Sequence, residues 1–469
     1  MHYRAFTMLA AALLFSACGK KSQQGDDQLS QEQQAIAGVD HALQHDANGH
    51  DHDAAMVGTA APPHLVQDFM AGSMNQLGAK LLNQLAAEAP GENVNISPWS
   101  IANALTLLSD AARNETLDEL YEVLSYPHVQ HYDDYYARAL KALNDDLITA
   151  AQLPRSYDAD DSETAPGSAL SFANGLWINR QVPLEIAPAF QRVVDDYFSA
   201  EVRNQPFAGN LAAIRQEINQ WIAQNTNDRI QDMIADGVIT NETAAVIVNA
   251  IAFKAAWANE FYEDATTPGD FHTAQGETIQ TPKMRRTFER MNLVNDERFV
   301  AFDIPYAQHS YVMTVVLPNE NQLDATRGFL FNDRGFETLG ETMANAETKR
   351  VDLRLPRFRF DSTADVRSAL EALGVHAPFR PNADFSGLFE NAASGLAVTD
   401  ILHQAYIDVN EKGTDAAAAT VAVIALTSAP TSFVAEPQLV DVNRPFFYVI
   451  RDVRHSTPLF MGLVNNPAN

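Results

Sequence analysis

Apolar residues recur along most of this chain with two different periods. Leu211 to Asn225 carries Ile214, Ile218, Trp221 and Ile222 at the i, i+4, i+7, i+8 spacing of a helix with one buried face. Val66 to Leu85 has helical spacing too, and Ser100 to Leu108, Leu117 to Leu124 and Ala187 to Phe198 also read as helices. Between them lie strand-like runs: Leu170 to Ile178, Ala244 to Phe253, Tyr311 to Leu317, Val351 to Leu355 and Phe446 to Ile450. Val246-Ile247-Val248 and Val312 to Leu317 are nearly continuous apolar runs, as expected of strands covered on both faces. The acidic stretch Tyr157 to Pro166 ends in proline and reads as a surface insertion. There is no internal repeat and no linker after Pro63, so the pattern predicts one large mixed α/β domain from His64 to the C-terminus.

The first residues break the pattern. Met1-His2-Tyr3-Arg4 is a short basic head, Phe6 to Phe15 is mostly apolar, and Ser16-Ala17-Cys18 closes the run with small residues. This is the layout of an export signal, residues 1–17, and it is too short to span a bilayer as a mature helix. Leu14-Phe15-Ser16-Ala17-Cys18 resembles a bacterial lipobox, although Phe15 is a less common choice there. The resemblance implies lipidation of Cys18, and Gly19 after it resembles lipoproteins sorted to an outer membrane, facing the periplasm or the cell surface. Cys18 is the only cysteine, so an exported chain has no disulfides. Residues 18–63 are rich in Gln, Asp and His and read as a flexible tether. Within it His41, His45, His50 and His52 stand among Asp46, Asp51 and Asp53. No spacing there matches a closed four-ligand site, so a solvated linker is expected rather than a metal centre.

Near the other end, Glu411 to Thr427 is unusual in a different way. From Gly413 it avoids every bulky side chain until Val421. Taken locally, Asp415 to Leu426 reads as a helix, because alanine is the best helix former and Asp415 suits an N-cap. Taken as a strand, alternate residues face opposite sides. Thr414, Ala416, Ala418, Thr420, Ala422, Ile424 and Leu426 then form one small or apolar face, while Asp415, the sole charge, lies on the other with Ala417 and Ala419.

Composition narrows the function by exclusion. The net charge of −28 over 469 residues argues against nucleic-acid binding, which needs clustered Lys and Arg. No Gly-x-Ser-x-Gly elbow, His-Glu-x-x-His pair or Walker loop is present, so no enzyme chemistry, cofactor or metal is expected. Thirteen histidines are scattered, five of them in the first 52 residues. His403, leading the strand-like run Gln404 to Val409, fits a hydrogen-bonded structural residue better than a catalyst.

Several blocks in order carry a family resemblance. Asn93-Val94-Asn95-Ile96-Ser97-Pro98-Trp99-Ser100, Asn174-Gly175-Leu176-Trp177, Ile218-Asn219-Gln220-Trp221 and Asn249-Ala250-Ile251-Ala252-Phe253-Lys254-Ala255-Ala256-Trp257 come first. Leu355-Pro356-Arg357-Phe358, Ala383-Asp384-Phe385-Ser386-Gly387, Asn443-Arg444-Pro445-Phe446 and Leu459-Phe460-Met461-Gly462 follow. From about His64 to Pro467 the chain resembles the serpins, serine-protease inhibitors that act by a large conformational change; one family glycine is Ala111 here.

The resemblance implies an α+β serpin fold at residues 64–469, with three β-sheets, eight to nine helices and an exposed reactive-centre loop. It implies a sheet-opening set at Asn93, Ser97, Ser100, Asn174, Asn249 and His403, with Trp257 where the loop first enters. It makes Glu411, Lys412, Gly413, Thr414, Asp415, Ala416, Ala417, Ala418, Ala419 and Thr420 the hinge. The family's spacing from Glu411 sets the reactive bond between Thr427 and Ser428, with Leu426, Ala429 and Phe433 as alternatives because the stretch to Pro445 is longer than in many relatives. The partner implied is a target protease met by a monomer. No Lys or Arg occurs from Asp415 to Asn443, which excludes trypsin-like targets and favours elastase-like or subtilisin-like ones. Leu426 before the bond also suits papain-like cysteine proteases. A non-inhibitory serpin and a surface-binding lipoprotein are the alternatives.

Overall fold

The computed structural model describes residues 63–468 apart from 129–133, 153–167, 180–184, 199, 227, 242, 244, 308, 333, 391–396, 400 and 415–435. The chain divides into two units, Met1–Val66 and Gln67–Asn469. The proposed signal, the lipidation position Cys18, the tether, the acidic insertion, the hinge from Asp415 to Thr420 and the bond Thr427–Ser428 all lie outside the described residues.

In chain order the elements are α1 (Pro63–Glu88), β1 (Val94–Ile96), α2 (Pro98–Ala111), α3 (Asn114–Val123), α4 (Tyr135–Ala151) and β2 (Ser168–Asn179). Next come α5 (Pro188–Val193), continued by a wider turn Val194–Phe198, β3 (Glu201–Gln205), α6 (Leu211–Asn225) and β4 (Ala245–Ala256). Then follow β5 (Thr267–His272), β6 (Thr278–Asn295), β7 (Phe299–Pro305), β8 (Tyr311–Pro318), α7 (Leu323–Leu330) and α8 (Gly335–Ala344). The chain closes with β9 (Thr348–Pro356), β10 (Phe358–Asp365), α9 (Val366–Ala372), β11 (Ile401–Asn410), β12 (Gly413–Thr414), β13 (Gln438–Asp441), β14 (Phe446–Asp452) and β15 (Pro458–Val464).

Six strands form one sheet in the order β10-β11-β12-β4-β2-β3. The others follow the path β1-β15-β14-β8-β7-β6-β9-β13, with β5 beside β6. The long strand β6 serves two sheets: its first part pairs with β5 and β9, and Leu293 to Asn295 pair with β7. Its register with β9 shifts between Phe288 and Met291, where the strand bends. Three sheets and nine α-helices among the described residues make up the α+β fold the sequence predicts.

The apolar spacing of α6 does what it predicts. Ile214, Ile218, Trp221 and Ile222 are buried against Trp177, Val246 and Val248 on one face of the six-stranded sheet. Each such side chain contributes roughly 1.5–3 kcal/mol of burial. Trp177 and Trp221 meet edge to face at 5.0 Å. They need Gly175 beneath them, since a Cβ there would lie 2.3 Å from the Trp177 ring. On the opposite face of the sheet runs α2, buried along nearly its whole length, with Ser100, Asn103, Thr106 and Ser109 enclosed among its apolar residues. Ser97 caps it, its side chain accepting from the Ser100 N–H, and Pro98 occupies the first turn, where a missing N–H costs nothing.

Candidate functional site: the parted strands and the hinge

β4 and β11 run parallel and, among the described residues, pair directly only at Ile401 with Ile247 and Leu402 with Val248. At their other ends the two-residue strand β12 stands between them. Gly413 and Thr414 pair antiparallel with Asn410 and Val409 on one side and with Ala256 and Ala255 on the other. Strands joined at one end and held apart by a third at the other must separate along their length. Between these points, Asn249 to Lys254 and His403 to Asp408 have no pairing with each other among the described residues. Each is held only from its outer side, by β2 and β10 respectively.

The hinge is anchored at every described residue. The Glu411 side chain is only 5 % exposed, and its carboxylate accepts from Arg357 Nε at 2.7 Å and from the Thr266 hydroxyl. The Lys412 ammonium lies 3.4 Å from Glu263, and the Lys412 carbonyl accepts from the Trp257 N–H at 2.8 Å. Gly413 passes so close to β4 that a Cβ would lie 2.0 Å from the Ala255 carbonyl oxygen, so no other residue fits this path. Thr414 then turns its side chain into the core. It is 3 % exposed, and its hydroxyl meets that of Tyr306 at 2.6 Å. Tyr306 stacks on Trp257 at 4.5 Å and packs edge to face on Phe253 at 5.1 Å. Trp257 in turn donates its indole N–H to the Asn410 carbonyl at 2.9 Å. Burial raises the Tyr306 phenol well above its usual range, so it remains a neutral partner for the threonine.

At the far end of the gap the Ser97 N–H donates to His403 Nε2 at 3.0 Å. His403 is buried, and desolvation pushes its pKa down to about 4, so the ring is neutral with its proton on Nδ1. A histidine held neutral in the fold and protonated at pH 6.5 when unfolded removes stability as pH falls from about 6.5 to 4, by roughly 3 kcal/mol in all. His455, whose pKa is raised by the Asp68 carboxylate, titrates with the opposite sign. The expected result is therefore a difference: His403→Gln loses less stability than the parent chain between pH 6.5 and pH 4. Equal losses in urea titrations would refute the assignment.

The predicted sheet-opening residues divide into groups. Ser97, Ser100 and His403 come together, and Ser100 Oγ is buried with no hydrogen-bond partner among the described residues. Asn174 and Asn249 face each other as Cα partners across β2 and β4, with side chains outside the described set. Asn93 is engaged elsewhere. Its Oδ1 accepts from the Asn465 and Asn466 N–H groups at 2.7 and 2.9 Å, and its amide donates to the Asn466 carbonyl, tying β1 to the C-terminus. Trp257 stands at the hinge. Sequence reasoning missed Tyr306, Arg357 and Thr266, whose roles depend on partners 108, 54 and 145 residues away.

This arrangement has known counterparts. A family model described as "Serpin (serine protease inhibitor)" matches residues 72–467. An uncharacterized serpin-like protein of Methanosarcina acetivorans is 30% identical over 86% of this chain and 89% of its own length. Among solved structures, the thermophilic serpin tengpin in its native state is 25% identical at a TM-score of 0.71, over 84% of this chain and 94% of its own. Human thyroxine-binding globulin, solved in complex with its ligand, is 27% identical at a TM-score of 0.71, over 86% of this chain and 99% of its own. The chain belongs to the serpin family. Membership supports protease inhibition in general as the family's activity, although some serpins are non-inhibitory.

Proposed function

We propose that this protein inhibits elastase-like or subtilisin-like serine proteases as a suicide substrate. The protease serine attacks the Thr427 carbonyl carbon, forming the acyl-enzyme and releasing the Ser428 amine. The freed upstream segment then enters between β4 and β11 and carries the acylated protease with it before the ester is hydrolysed. The observation that supports this reading above all others is the seating of Thr414, because it makes β12 the first step of such a strand.

The register of that step extends naturally. Continued along β11 and β4, it brings Asp415 beside Asp408 and Lys254, and Thr420 beside His403 and Asn249. Thr414 faces the core, so Ala416, Ala418, Thr420, Ala422, Ile424 and Leu426 would follow it there, and the one charge would face outward between Asp408 and Lys254. A strand so placed would gain main-chain hydrogen bonds on both edges and apolar burial at about 25 cal/mol per Å². Leu426 keeps papain-like cysteine proteases as the second reading. The domain is proposed to be exported to the bacterial outer membrane and held there by a lipid on Cys18 through the 18–63 tether. Among the described residues no helix is long and apolar enough to cross a membrane.

Incubation with neutrophil or pancreatic elastase, followed by a denaturing gel, tests the reading. A covalent band at the summed mass is expected. Complete cleavage of the inhibitor with no such band would refute inhibition and leave a plain substrate.

A further inference from the structure

The outer face of the β6-β9-β13 sheet carries an arrangement that the trapping mechanism does not use. Arg354 on β9 lies directly opposite Arg285 on β6 and opposite Asp441 on β13. Leu353 and Leu355 on either side of Arg354 are fully buried, so strand alternation turns the arginine to the outer face. The neighbouring charges are already matched. Arg285 forms a two-point pair with Asp352 at 3.0 and 2.9 Å, and Asp441 is taken by Lys283 at 2.5 Å. Arg354 has no side-chain partner among the described residues. Arg354 thus stands between Arg285 and Asp441, each engaged by another side chain, and its guanidinium is left to take an outside carboxylate. One row along the same face, Leu439 is 54 % exposed, beside Asp352 in the register.

The position of this face selects its partner. β13 begins two residues after Glu436, where the described chain resumes beyond residues 415–435, so the chain leads from the C-terminal end of that segment straight into the strand that carries Leu439, beside Arg354. Arginine suits two-point capture of carboxylates, and an arginine beside an apolar anchor is a common centre of interface energy.

We propose that Arg354, Arg285 and Leu439 form a secondary docking surface for the target protease, fitting a carboxylate-bearing, partly apolar patch beside its active-site cleft. The proposal rests on the inhibitory reading above and narrows the target to a protease with an acidic rim. In a chain of net charge −28 such a local cationic site gives orientation rather than general attraction.

The test uses Arg354→Glu and Leu439→Ser in the full chain, each compared with the parent for thermal unfolding. Subtilisin and pancreatic elastase are the probes. With whichever is trapped, Arg354→Glu is expected to slow association by roughly 3–10-fold at low salt and to flatten its salt dependence, with stoichiometry unchanged. Leu439→Ser should slow it without changing the salt slope. Unchanged rates in both variants overturn the surface. If the parent traps neither protease, the inhibitory reading falls on its own. The surface is then judged by binding to the same proteases with the active-site serine replaced by alanine, where a Kd equal for parent and Arg354→Glu overturns it. Retention of dextran sulfate by the parent, with both protease readouts unmoved, overturns it as well and marks a polyanion site.

Discussion

Thr414→Arg is expected to turn the protein from a trap into a substrate, raising the moles of inhibitor consumed per protease stopped by at least tenfold. The reason is local. The threonine side chain is 3 % exposed and its hydroxyl lies 2.6 Å from that of Tyr306, in a shell built by Trp257 and Phe253. A guanidinium in that shell has no carboxylate to meet, and an unpaired buried charge costs several kcal/mol. Trapping is a race between insertion and deacylation, and each 1.4 kcal/mol added to the insertion barrier slows it about tenfold. The variant should still fold, with β12 displaced from its seat between β4 and β11 at some cost in stability, and still be cut at the parent's rate, because the loop beyond the hinge is unchanged. Inhibition that survived the change would show that Thr414 need not enter.

Gly413→Val should have the second largest effect, by a different route. Its Cβ would lie 2.0 Å from the Ala255 carbonyl oxygen and 2.8 Å from Ala256 Cα, both backbone atoms of β4 that have little room to give. The variant therefore expels β12 even before any protease is met. Tyr306 then keeps a buried hydroxyl with no threonine to pair with, a loss of about 1–3 kcal/mol. A lower urea midpoint for the uncleaved protein, with trapping lost as well, is the expected result. Glycine is required here by close approach, not by flexibility, so an unchanged midpoint would contradict the seating of β12.

The sequence was most legible where a local period determined the outcome. α6 runs over the residues its apolar spacing marked, Leu211–Asn225, and the continuous apolar run at Val312 became the fully buried strand β8. β6 was not visible, because Lys283, Arg285, Arg286, Glu289 and Arg290 interrupt its apolar alternation as it passes between two sheets. α4 was missed too, its buried face being made largely of Tyr136, alanines and spaced leucines rather than a dense apolar stripe. At the site, the parity argument placed Thr414 inward, and it is inward. The strand-like run after it marked His403 as a structural histidine, while the family resemblance gave it a place in the sheet-opening set and alone identified Trp257. Neither route reached Tyr306, because a residue that ends one strand and receives another from over one hundred positions away is specified by topology. Asn93 shows the converse: a motif gives a residue's neighbourhood in the chain, while its side chain answers to Asn465 and Asn466.

The central claim is that cleavage sends a strand into the space between β4 and β11. Amide hydrogen exchange over Asn249 to Lys254 and His403 to Asp408, before and after cutting the loop with elastase, reads this directly. At rest these segments lack pairing with each other, so the amides facing the gap should exchange readily. After cleavage the new strand should protect both segments together, by orders of magnitude, while Thr414→Arg leaves them unprotected. Exchange that stays the same in the cut parent protein would contradict the account.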